Sequence, residues 1–398
     1  MKYKTISSKS INSDISIPTS KSYANRAIIL ATLESGQRVV SDIPESSDVQ
    51  EMIEVLESLS LVSDYDGNKV VINKSFPEDE VISNTIKEVY LGEGGTTIRF
   101  LLTLLSLGGQ SYRVKVHPRF KLRPYRGQLS LLRELGAIVV ESADKDILCE
   151  LQGPITLPAK INIDCLKTTQ VASSFLLLKG KYEFEIELLN SDTSMAYVEM
   201  TNLMIQNSSK EVYKVPVDYS SAGYFIALGL FLQKLHLNNV NSIDAFQADS
   251  KIINVLDQIR ANYKFDNGLT ITPKDSYKHF LIDGSMCLDL VPTLCFIAAN
   301  IEGTSSIFNI KNLIYKETDR LKGIEDILFA FGVEYKSDED SIEIKGNKIK
   351  ANIKELHTLP DHRLIMMGSL FLKLSGGGEI SPFSEVSKSF PGFFTLMN

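Results

Sequence analysis

Hydrophobic and polar positions along the chain follow one recurring pattern: an amphipathic helix, a short stop, and then two apolar strands around a turn. In the first copy, the helical spacing of Met52, Val55 and Leu56 is followed by strands on either side of Asp66-Gly67-Asn68. Copies lie, in chain order, at 48–73, 125–140, 197–217 in a more degenerate form, 248–273, and from Glu317 to a turn at 338–340. Self-similarity on this scale predicts duplicated α/β units of about 60–70 residues.

The repeats also predict how the chain is divided. About six such units would fill it, and no low-complexity linker separates them. We therefore expect an α/β protein of two compact lobes, each of three units, with a ligand cleft between them. A polar, small-residue stretch at 217–225 precedes an apolar helix and is the candidate crossover. In the fourth copy, Asp266-Asn267-Gly268 favours a tight primed turn between two strands.

Several predicted helices begin with cations and small polar residues, at 18–26, 92–99, 315–321 and 360–363. An N-terminal helical turn leaves backbone N–H groups free and carries a partial positive charge, so it suits phosphate or carboxylate. The segment at 315–321 has a plainer interpretation, a solvated helix start at which Glu317 and Asp319 complement the macrodipole. Its recurrence at other helix starts favours an anionic ligand.

Composition narrows the class of ligand. The chain has 42 Lys plus Arg against 49 Asp plus Glu, a net charge of -7, which disfavours nucleic-acid binding and favours a small, multiply anionic ligand. No apolar run reaches the roughly 18 residues of a membrane span, so we expect no membrane association and a cytoplasmic protein. The 4 Cys, without C-x-x-C spacing, and the 5 His predict buried reduced thiols and no zinc site.

A series of short segments, taken in order over nearly the whole chain, resembles the 5-enolpyruvylshikimate-3-phosphate synthase family of enolpyruvyl transferases. The segments are Ser-Lys-Ser-x-x-Asn-Arg at 20–26, Leu-Gly-x-x-Gly-Thr-x-x-Arg at 91–99, Arg-Pro at 123–124, a Gln-containing segment at 168–170, Asp-x-Ser-Ser-Ala-x-Tyr-Phe at 218–225, Asp-Leu-Val-Pro at 289–292, Lys-Glu-Thr-Asp-Arg at 316–320, Asp-His-Arg at 361–363 and Lys-x-Phe-Pro at 388–391.

The resemblance implies a two-lobed enolpyruvyl-transferase fold with three βαβαββ units in each lobe. Residues 1–19 and 218–398 would form one lobe, and 20–217 the other. The implied reaction joins shikimate 3-phosphate and phosphoenolpyruvate at the 5-hydroxyl of the former and releases phosphate. The resemblance also implies a monomer whose partners are these two small molecules, with no metal and no organic cofactor.

The resemblance further implies a role for particular residues. Asp289 would be the base, Glu317 the acid, and Lys21 would assist proton movement. The residues implied to bind shikimate 3-phosphate are Lys21, Ser22, Arg26, Thr168, Thr169, Gln170, Ser194, Tyr197, Asp289, Asn312 and Lys316. Those implied to bind phosphoenolpyruvate are Lys21, Gly95, Arg123, Gln170, Arg320, Arg363 and Lys388.

Elementary chemistry gives reasons for these residue types. The two substrates carry two phosphates and two carboxylates, and closely placed cations are needed to hold them. A hydroxyl is a poor nucleophile until a positioned carboxylate takes its proton, and Asp289 is an unusual carboxylate between apolar segments, although helix capping would also explain it. At Gly95 a phosphate could approach the backbone because no Cβ intervenes, although a simple turn would also require glycine. We expect Arg99, one helical turn later, to form a structural ion pair.

Two other functions stay open at this stage. A sister enzyme transfers enolpyruvyl to a UDP-amino sugar and needs a reactive Cys in a loop of the first lobe, but the corresponding stretch at 116–121 contains none. A non-catalytic anion-binding protein could keep the cations and lose Asp289 or Glu317. Both carboxylates are present.

Overall fold

The computed structural model describes residues 2–191, 194–208, 210–347 and 352–398. It divides into two compact units, which we call the split unit (1–18 and 217–398) and the inserted unit (19–216). The boundaries expected from the sequence lie one residue further along the chain at each crossing.

The chain opens in the split unit with β1 (Lys4–Ile6) and β2 (Asp14–Ile15). The inserted unit follows with α1 (Lys21–Leu33), β3 (Arg38–Ser41), α2 (Ser47–Ser58), β4 (Val62–Tyr65), β5 (Lys69–Ile72), β6 (Lys87–Tyr90), α3 (Gly95–Leu105), β7 (Ser111–Lys115), α4 (Arg126–Glu134), β8 (Ile138–Glu141), β9 (Ile147–Gln152), β10 (Lys160–Asp164), α5 (Gln170–Leu178), β11 (Glu185–Leu189), α6 (Met195–Gln206) and β12 (Val212–Lys214).

The split unit resumes with α7 (Tyr219–Phe231), β13 (Leu235–Leu237), α8 (Ile252–Gln258), β14 (Asn262–Phe265), β15 (Leu269–Thr272), β16 (Leu281–Asp283), α9 (Val291–Asn300), β17 (Gly303–Phe308), α10 (Arg320–Ala330), β18 (Glu334–Ser337), β19 (Ser341–Gly346), β20 (Glu355–His357), α11 (His362–Leu374), β21 (Gly378–Ser381) and α12 (Phe393–Met397). Short 3-10 helices lie at Pro118–Leu122, Ala248–Lys251, Lys311–Tyr315 and Ser384–Lys388.

The βαβαββ repeat is complete twice in continuous sequence. In the inserted unit, β6, α3, β7, α4, β8 and β9 follow one another and give the sheet β6-β7-β9-β8. The split unit has the same succession from β16 to β19, with the sheet β16-β17-β19-β18. In both sheets the first pair of strands is parallel and the others are antiparallel. The predicted α/β repeat is therefore confirmed.

Other repeats take their first strand from a distant part of the chain. Strand β2 lies parallel to β13 in the sheet β14-β15-β13-β2, and β12 lies parallel to β3 in the sheet β12-β3-β5-β4. The remaining sheets are β10-β11 in the inserted unit and β1-β21-β20 in the split unit. The chain thus passes from one unit to the other shortly after β2 and again shortly after β12. Each of these two strands pairs with a strand of its own unit.

Three buried helices lie at the centre of each unit. Helices α1, α3 and α5 contact one another in the inserted unit, and α7, α9 and α11 do so in the split unit. These helices are apolar on nearly all sides; in α1, every residue from Ala24 to Leu33 is buried. Because their flanks are covered by protein, polar chemistry is concentrated at their N-terminal ends.

Two local predictions, a hairpin turn at 266–268 and the start of the helix of the last repeat, can be compared with the structure. Asn267 and Gly268 have positive φ angles of 48° and 129°, as the predicted primed turn requires. The expectation that the helix of the last repeat begins at Glu317 is wrong. Helix α10 begins at Arg320, because the Asp319 carboxylate accepts a hydrogen bond from the Lys322 N–H at 3.1 Å and caps it there.

Within the described residues, no helix has both the length and the apolar character that crossing a bilayer demands. The thiols of Cys149, Cys165, Cys287 and Cys295 are free and buried, as expected.

We predict that Gly346→Ala destabilises the split unit. A Cβ at Gly346 would lie 2.1 Å from the carbonyl oxygens of Ala298 and Ile301, and backbone cannot move aside as a flexible side chain can. The expected loss in the free energy of unfolding is about 1–3 kcal/mol, measured by urea denaturation.

The matched control for this experiment is Gly127→Ala in α4. No atom lies within 4 Å of a Cβ built there, so the variant should be as stable as the parent or more stable by about 0.4–1 kcal/mol. Equal stability of both variants would contradict the steric argument.

Candidate active site

Arg320 organises the charges of the split unit. Its side chain is 1% exposed and donates to three carboxylates: Nε to Asp361 at 2.9 Å, Nη1 to Asp289 at 2.8 Å and Nη2 to Glu317 at 2.5 Å. Burial alone would lower the pKa of this guanidinium, but the three carboxylates outweigh burial and raise the pKa above its ordinary value. The alternative of a solvated helix start is therefore wrong for this residue.

Asp289 receives cations from three directions. Besides Arg320, its carboxylate contacts Lys316 Nζ at 3.2 Å and Arg363 Nη2 at 3.0 Å. Arg363 Nη1 also donates to the Asp289 carbonyl oxygen at 3.2 Å. The alternative role as a helix cap is wrong, because Leu290 occupies the N-cap position of α9. Asp289 is a charged group held at the N-terminal end of a buried helix.

Asp361 aligns two arginines with one carboxylate. Its side chain is fully buried and caps α11, accepting from the Arg363 N–H at 2.8 Å with Oδ1 while Oδ2 binds Arg320. A cap fixes where a helix begins, and here it also fixes where the Arg363 side chain leaves the helix. The Asp-His-Arg segment is therefore a rigid support for the Asp289 cluster.

The remaining predicted residues of the split unit lie on 3-10 helices. Lys388 pairs with Glu385 at 2.9 Å within Ser384–Lys388, a segment that contacts α11. Asn312 is buried in Lys311–Tyr315, which contacts α10. Both segments are thus attached to helices that carry the charge cluster.

In the inserted unit, Lys21 is the first residue of α1 and its Nζ binds Asp48 at 2.8 Å. The Asp48 carbonyl oxygen accepts from Thr97 Oγ1 at 2.7 Å, which ties α2 to the start of α3. A Cβ at Gly95 would lie 2.6–2.7 Å from the Arg123 guanidinium. The Arg123 guanidinium therefore occupies the space that a side chain at this position would enter, and a larger residue here would displace it.

Gln170 joins the N-terminal ends of α3 and α5. Its Oε1 accepts from Arg99 Nη1 at 2.7 Å, and its Nε2 donates to Thr96 at 3.1 Å. Arg99 also donates to the carbonyl oxygens of Gly95 at 2.9 Å and Pro124 at 2.5 Å. These bonds give Arg99 a structural role, but their acceptors are neutral oxygens and not the partner of an ion pair, which was the expectation.

The two threonines before α5 are bonded to their surroundings. Thr168 Oγ1 accepts from the Gln170 N–H at 3.2 Å, and Thr169 Oγ1 donates to the Ser194 carbonyl oxygen at 3.3 Å. Ser194 precedes α6 with a left-handed φ of 61°. Thr169 thereby fixes the segment that leads into α6, where Tyr197 lies.

Arg26, which was predicted to bind shikimate 3-phosphate, is buried inside the inserted unit. Its side chain is buried, and its donors reach Thr201, Ser173 and the carbonyl oxygens of Ser22 and Tyr197 at 2.8–3.4 Å. The guanidinium also lies 5.7 Å from the Tyr197 ring centroid. Burial lowers its pKa to about 10, which leaves it charged at neutral pH. In this geometry Arg26 positions Ser22 and Tyr197.

A pocket of about 520 Å³ within the inserted unit borders two of the predicted residues, Arg123 and Thr168. Arg126 and Lys167 contribute further positive charge to its lining, and Glu134 and Asp164 contribute negative charge. Its mixed charge is suited to a polar ligand.

Sequence reasoning missed the acidic partners of the cations. Asp48, Glu385 and the cap function of Asp361 have no distinctive local pattern, because an acid near a helix start usually only complements the macrodipole. For Asp361 and Glu385 the available signal was their position within a few residues of a predicted cation, whereas Asp48 lies at the start of α2 and pairs with Lys21 of α1.

Comparison with known protein families agrees with this geometry. The family model for EPSP synthase (3-phosphoshikimate 1-carboxyvinyltransferase) matches residues 6–397. The chain belongs to this family. A 3-phosphoshikimate 1-carboxyvinyltransferase of Thermococcus kodakarensis is 30% identical, with 96% of each chain covered. One from Methanococcoides burtonii is 27% identical, covering 99% of this chain and 96% of its own.

Solved structures with low sequence identity to this chain have the same fold. The EPSP synthase of Acinetobacter baumannii superposes with a TM-score of 0.77 at 22% identity, covering 98% of this chain and 96% of its own. The enolpyruvyl transferase NikO of Streptomyces tendae has a TM-score of 0.74 at 13% identity, covering 99% of this chain and 95% of its own. The predicted enolpyruvyl-transferase fold is confirmed.

We predict that Glu51→Gln stabilises the protein in a pH-dependent way. Glu51 Oε2 has no hydrogen-bond partner and lies 1.6 Å from the position of a Cβ built on Gly92. Burial, and then the Asp48 carboxylate, raise its pKa to about 7, above the roughly 4.3 of an unfolded Glu, although a backbone hydrogen bond from Glu93 opposes the shift. The folded state therefore binds the proton more tightly, and stability falls as pH rises between these values.

Chemical denaturation at a series of pH values tests this prediction. Glu51→Gln should match the parent near about pH 4, become progressively more stable than the parent up to about pH 7, and keep a constant advantage above it. Glu57→Gln, an exposed position on the same helix, is the control. A stability difference independent of pH would show that Glu51 does not titrate as described.

Proposed function

We propose that this chain transfers the enolpyruvyl group of phosphoenolpyruvate to the 5-hydroxyl of shikimate 3-phosphate and releases phosphate. The new bond joins the 5-oxygen to C2 of phosphoenolpyruvate while the methylene carbon gains a proton. The tetrahedral product then loses phosphate from C2 and a proton from the methyl group. No electron leaves or enters the two substrates, so acids, bases and cations are sufficient catalysts.

The observation that carries this proposal is the Asp289 carboxylate held by Lys316, Arg320 and Arg363. A base for the 5-hydroxyl must be rigidly placed, and three charged donors on separate elements restrict this carboxylate in every direction. When Asp289 takes the proton, its negative charge disappears while the three cations remain. The charge of the three cations is then no longer balanced by Asp289, and it stabilises the anionic groups of phosphoenolpyruvate as the bond forms.

Glu317 is the acid in this proposal. It shares the Arg320 guanidinium with Asp289, at 2.5 Å and 2.8 Å respectively. Two carboxyl groups on one cation can exchange roles in acid-base catalysis, since loss of charge at one strengthens the bond of the cation to the other. Lys21 assists proton movement, and its pairing with Asp48 holds the ammonium group at the start of α1.

The other residues serve binding in the proposal. Shikimate 3-phosphate is assigned to Lys21, Ser22, Arg26, Thr168, Thr169, Gln170, Ser194, Tyr197, Asp289, Asn312 and Lys316, and phosphoenolpyruvate to Lys21, Gly95, Arg123, Gln170, Arg320, Arg363 and Lys388. Support comes from the helix N-termini at Lys21, Gly95 and Gln170, which offer backbone N–H groups to anions. For Arg26 the support is indirect, through its bonds to Ser22 and Tyr197.

Release of phosphate is the direct test of the function. The purified chain with phosphoenolpyruvate should release phosphate when shikimate 3-phosphate is added and not when a UDP-amino sugar is added. Release with the UDP sugar would identify the sister reaction, and no release with either would favour a non-catalytic anion-binding protein.

We predict that Asp289→Asn lowers turnover by at least about a hundredfold and leaves shikimate 3-phosphate bound, because the amide cannot accept the hydroxyl proton. Turnover is measured by phosphate release, and binding by calorimetry. Asp326→Asn on α10 is the matched control, since it removes an exposed carboxylate that pairs with Lys322 at 2.8 Å. Turnover close to that of the parent would remove Asp289 from the mechanism.

A further inference from the structure

Asp249 is a buried carboxyl group to which the proposed mechanism gives no part. It lies in the 3-10 helix Ala248–Lys251 and is 3% exposed. Its Oδ2 accepts a hydrogen bond from the Ser220 hydroxyl in the first turn of α7. Its Oδ1 is buried and has no hydrogen-bond partner. An ionised carboxylate in this position would lack the donors that such a charge needs.

Charged groups from every neighbouring element act on Asp249. Arg363 on α11 opposes protonation, whereas Asp289 ahead of α9 and Asp218 at the cap of α7 favour it. Burial is the largest influence, and it raises the pKa of Asp249 above the usual value of an aspartic acid. The Cys287 thiol also faces it, and burial together with Asp249 raises the pKa of that thiol. Lys251, on the same 3-10 helix, is the nearest cation along the chain.

The balance of charges in the split unit gives a reason for Asp249 to be protonated. In the split unit, Lys316, Arg320, Arg363 and Lys388 are matched by Asp289, Glu317, Asp361 and Glu385. When Glu317 carries the proton that the proposed mechanism requires, the cations outnumber the carboxylates by one. Ionisation of Asp249 would cancel this excess of positive charge, which opposes the binding of anions. It would also draw Arg363 away from Asp289, because two carboxylates would then compete for one guanidinium.

We propose that Asp249 is a positioning residue whose protonated form keeps Arg363 bonded to Asp289 and available to an anionic substrate. Its effect on substrate rests on the proposed function, whereas its protonation does not. When the proton leaves at high pH, kcat/KM for phosphoenolpyruvate should fall by about tenfold, the scale of one unit charge acting over roughly 10 Å in a protein.

Two variants test this titration in different ways. Asp249→Asn fixes a neutral side chain and should abolish the decline of kcat/KM at high pH. Ser220→Ala removes a hydrogen bond that favours the ionised form, and should move the decline to higher pH. The control is Asp257→Asn, an exposed position on α8, which should keep the parent profile. A decline retained in Asp249→Asn, or a folded Asp249→Asn inactive at every pH, would overturn the proposal.

Infrared spectroscopy of the protein without substrate tests protonation even if the proposed reaction fails. At about pH 6, some two units above the ordinary pKa of Asp, the parent should show the C=O band of a protonated carboxyl group. Asp249→Asn should lose part of this band, and Glu51→Gln a separate part. In Ser220→Ala the Asp249 band should move to higher frequency, because Oδ2 loses its donor. Identical bands in the parent, Asp249→Asn and Ser220→Ala would show that Asp249 is ionised.

Discussion

The buried guanidinium of Arg320 is the constraint on which the charge cluster of the split unit depends. A buried arginine without partners is costly, and removal of one partner of a buried pair typically costs about 3–5 kcal/mol. Arg320 meets this demand with Asp289, 31 positions away, and Asp361, 41 positions away. Because it cannot lose its proton, it forces α9, α10 and α11 into one arrangement at their N-terminal ends. The geometry of the proposed catalytic cluster and the stability of the split unit therefore depend on the same buried guanidinium.

The periodicity of the sequence was sufficient to predict the repeats. Amphipathic spacing and turn residues are local properties, and the strands of β14 and β15 meet at Asn267 and Gly268 as local rules require. The strands β2 and β12, which join sheets far from them in sequence, follow no local signal. The predicted start of α10 lies too early in the chain. Asp319 follows Glu317, and both acids fit the first turn of a helix, whereas Asp319 is in fact the N-cap.

In the candidate site, the sequence predicted the cations but not which carboxylates pair with them. Cations at helix starts are visible in the sequence, but the carboxylates that hold them are not, because Lys21 with Asp48 and Arg363 with Asp289 are pairings of the tertiary structure. At Gly95 the structure places a different group from the one that was expected. The absence of a Cβ was expected to admit a phosphate, and in the folded protein it admits Arg123. Close approach was predictable, whereas the group that approaches was not.

Internal carboxylates at these anion sites also bear on specificity. An acid of the protein holds several of these cations in place, so a ligand must compete with that acid. The cations are Lys21, Lys316, Arg320, Arg363 and Lys388. A single weak anion gains little from such exchange, since a partly exposed ion pair is worth only about 0–1 kcal/mol. A ligand with several anionic groups gains at several cations together, and its groups are linked by bonds that carry no further entropic cost. The proposed binding residues are therefore suited to a ligand with several anionic groups.

Arginines and lysines of the site divide this work according to their chemistry. Arg320 and Arg363 are 1% and 8% exposed and bind several oxygens each through a planar fork, so their positions are fixed by the fold. Lys21 and Lys316 are both 18% exposed. A flexible ammonium group at a partly exposed position can leave one carboxylate for a ligand at low cost, and it can give up a proton, which a guanidinium cannot. In the proposed function the lysines are therefore the cations that respond to substrate, and Lys21, the first residue of α1, is the one proposed both to bind an anion and to assist proton movement.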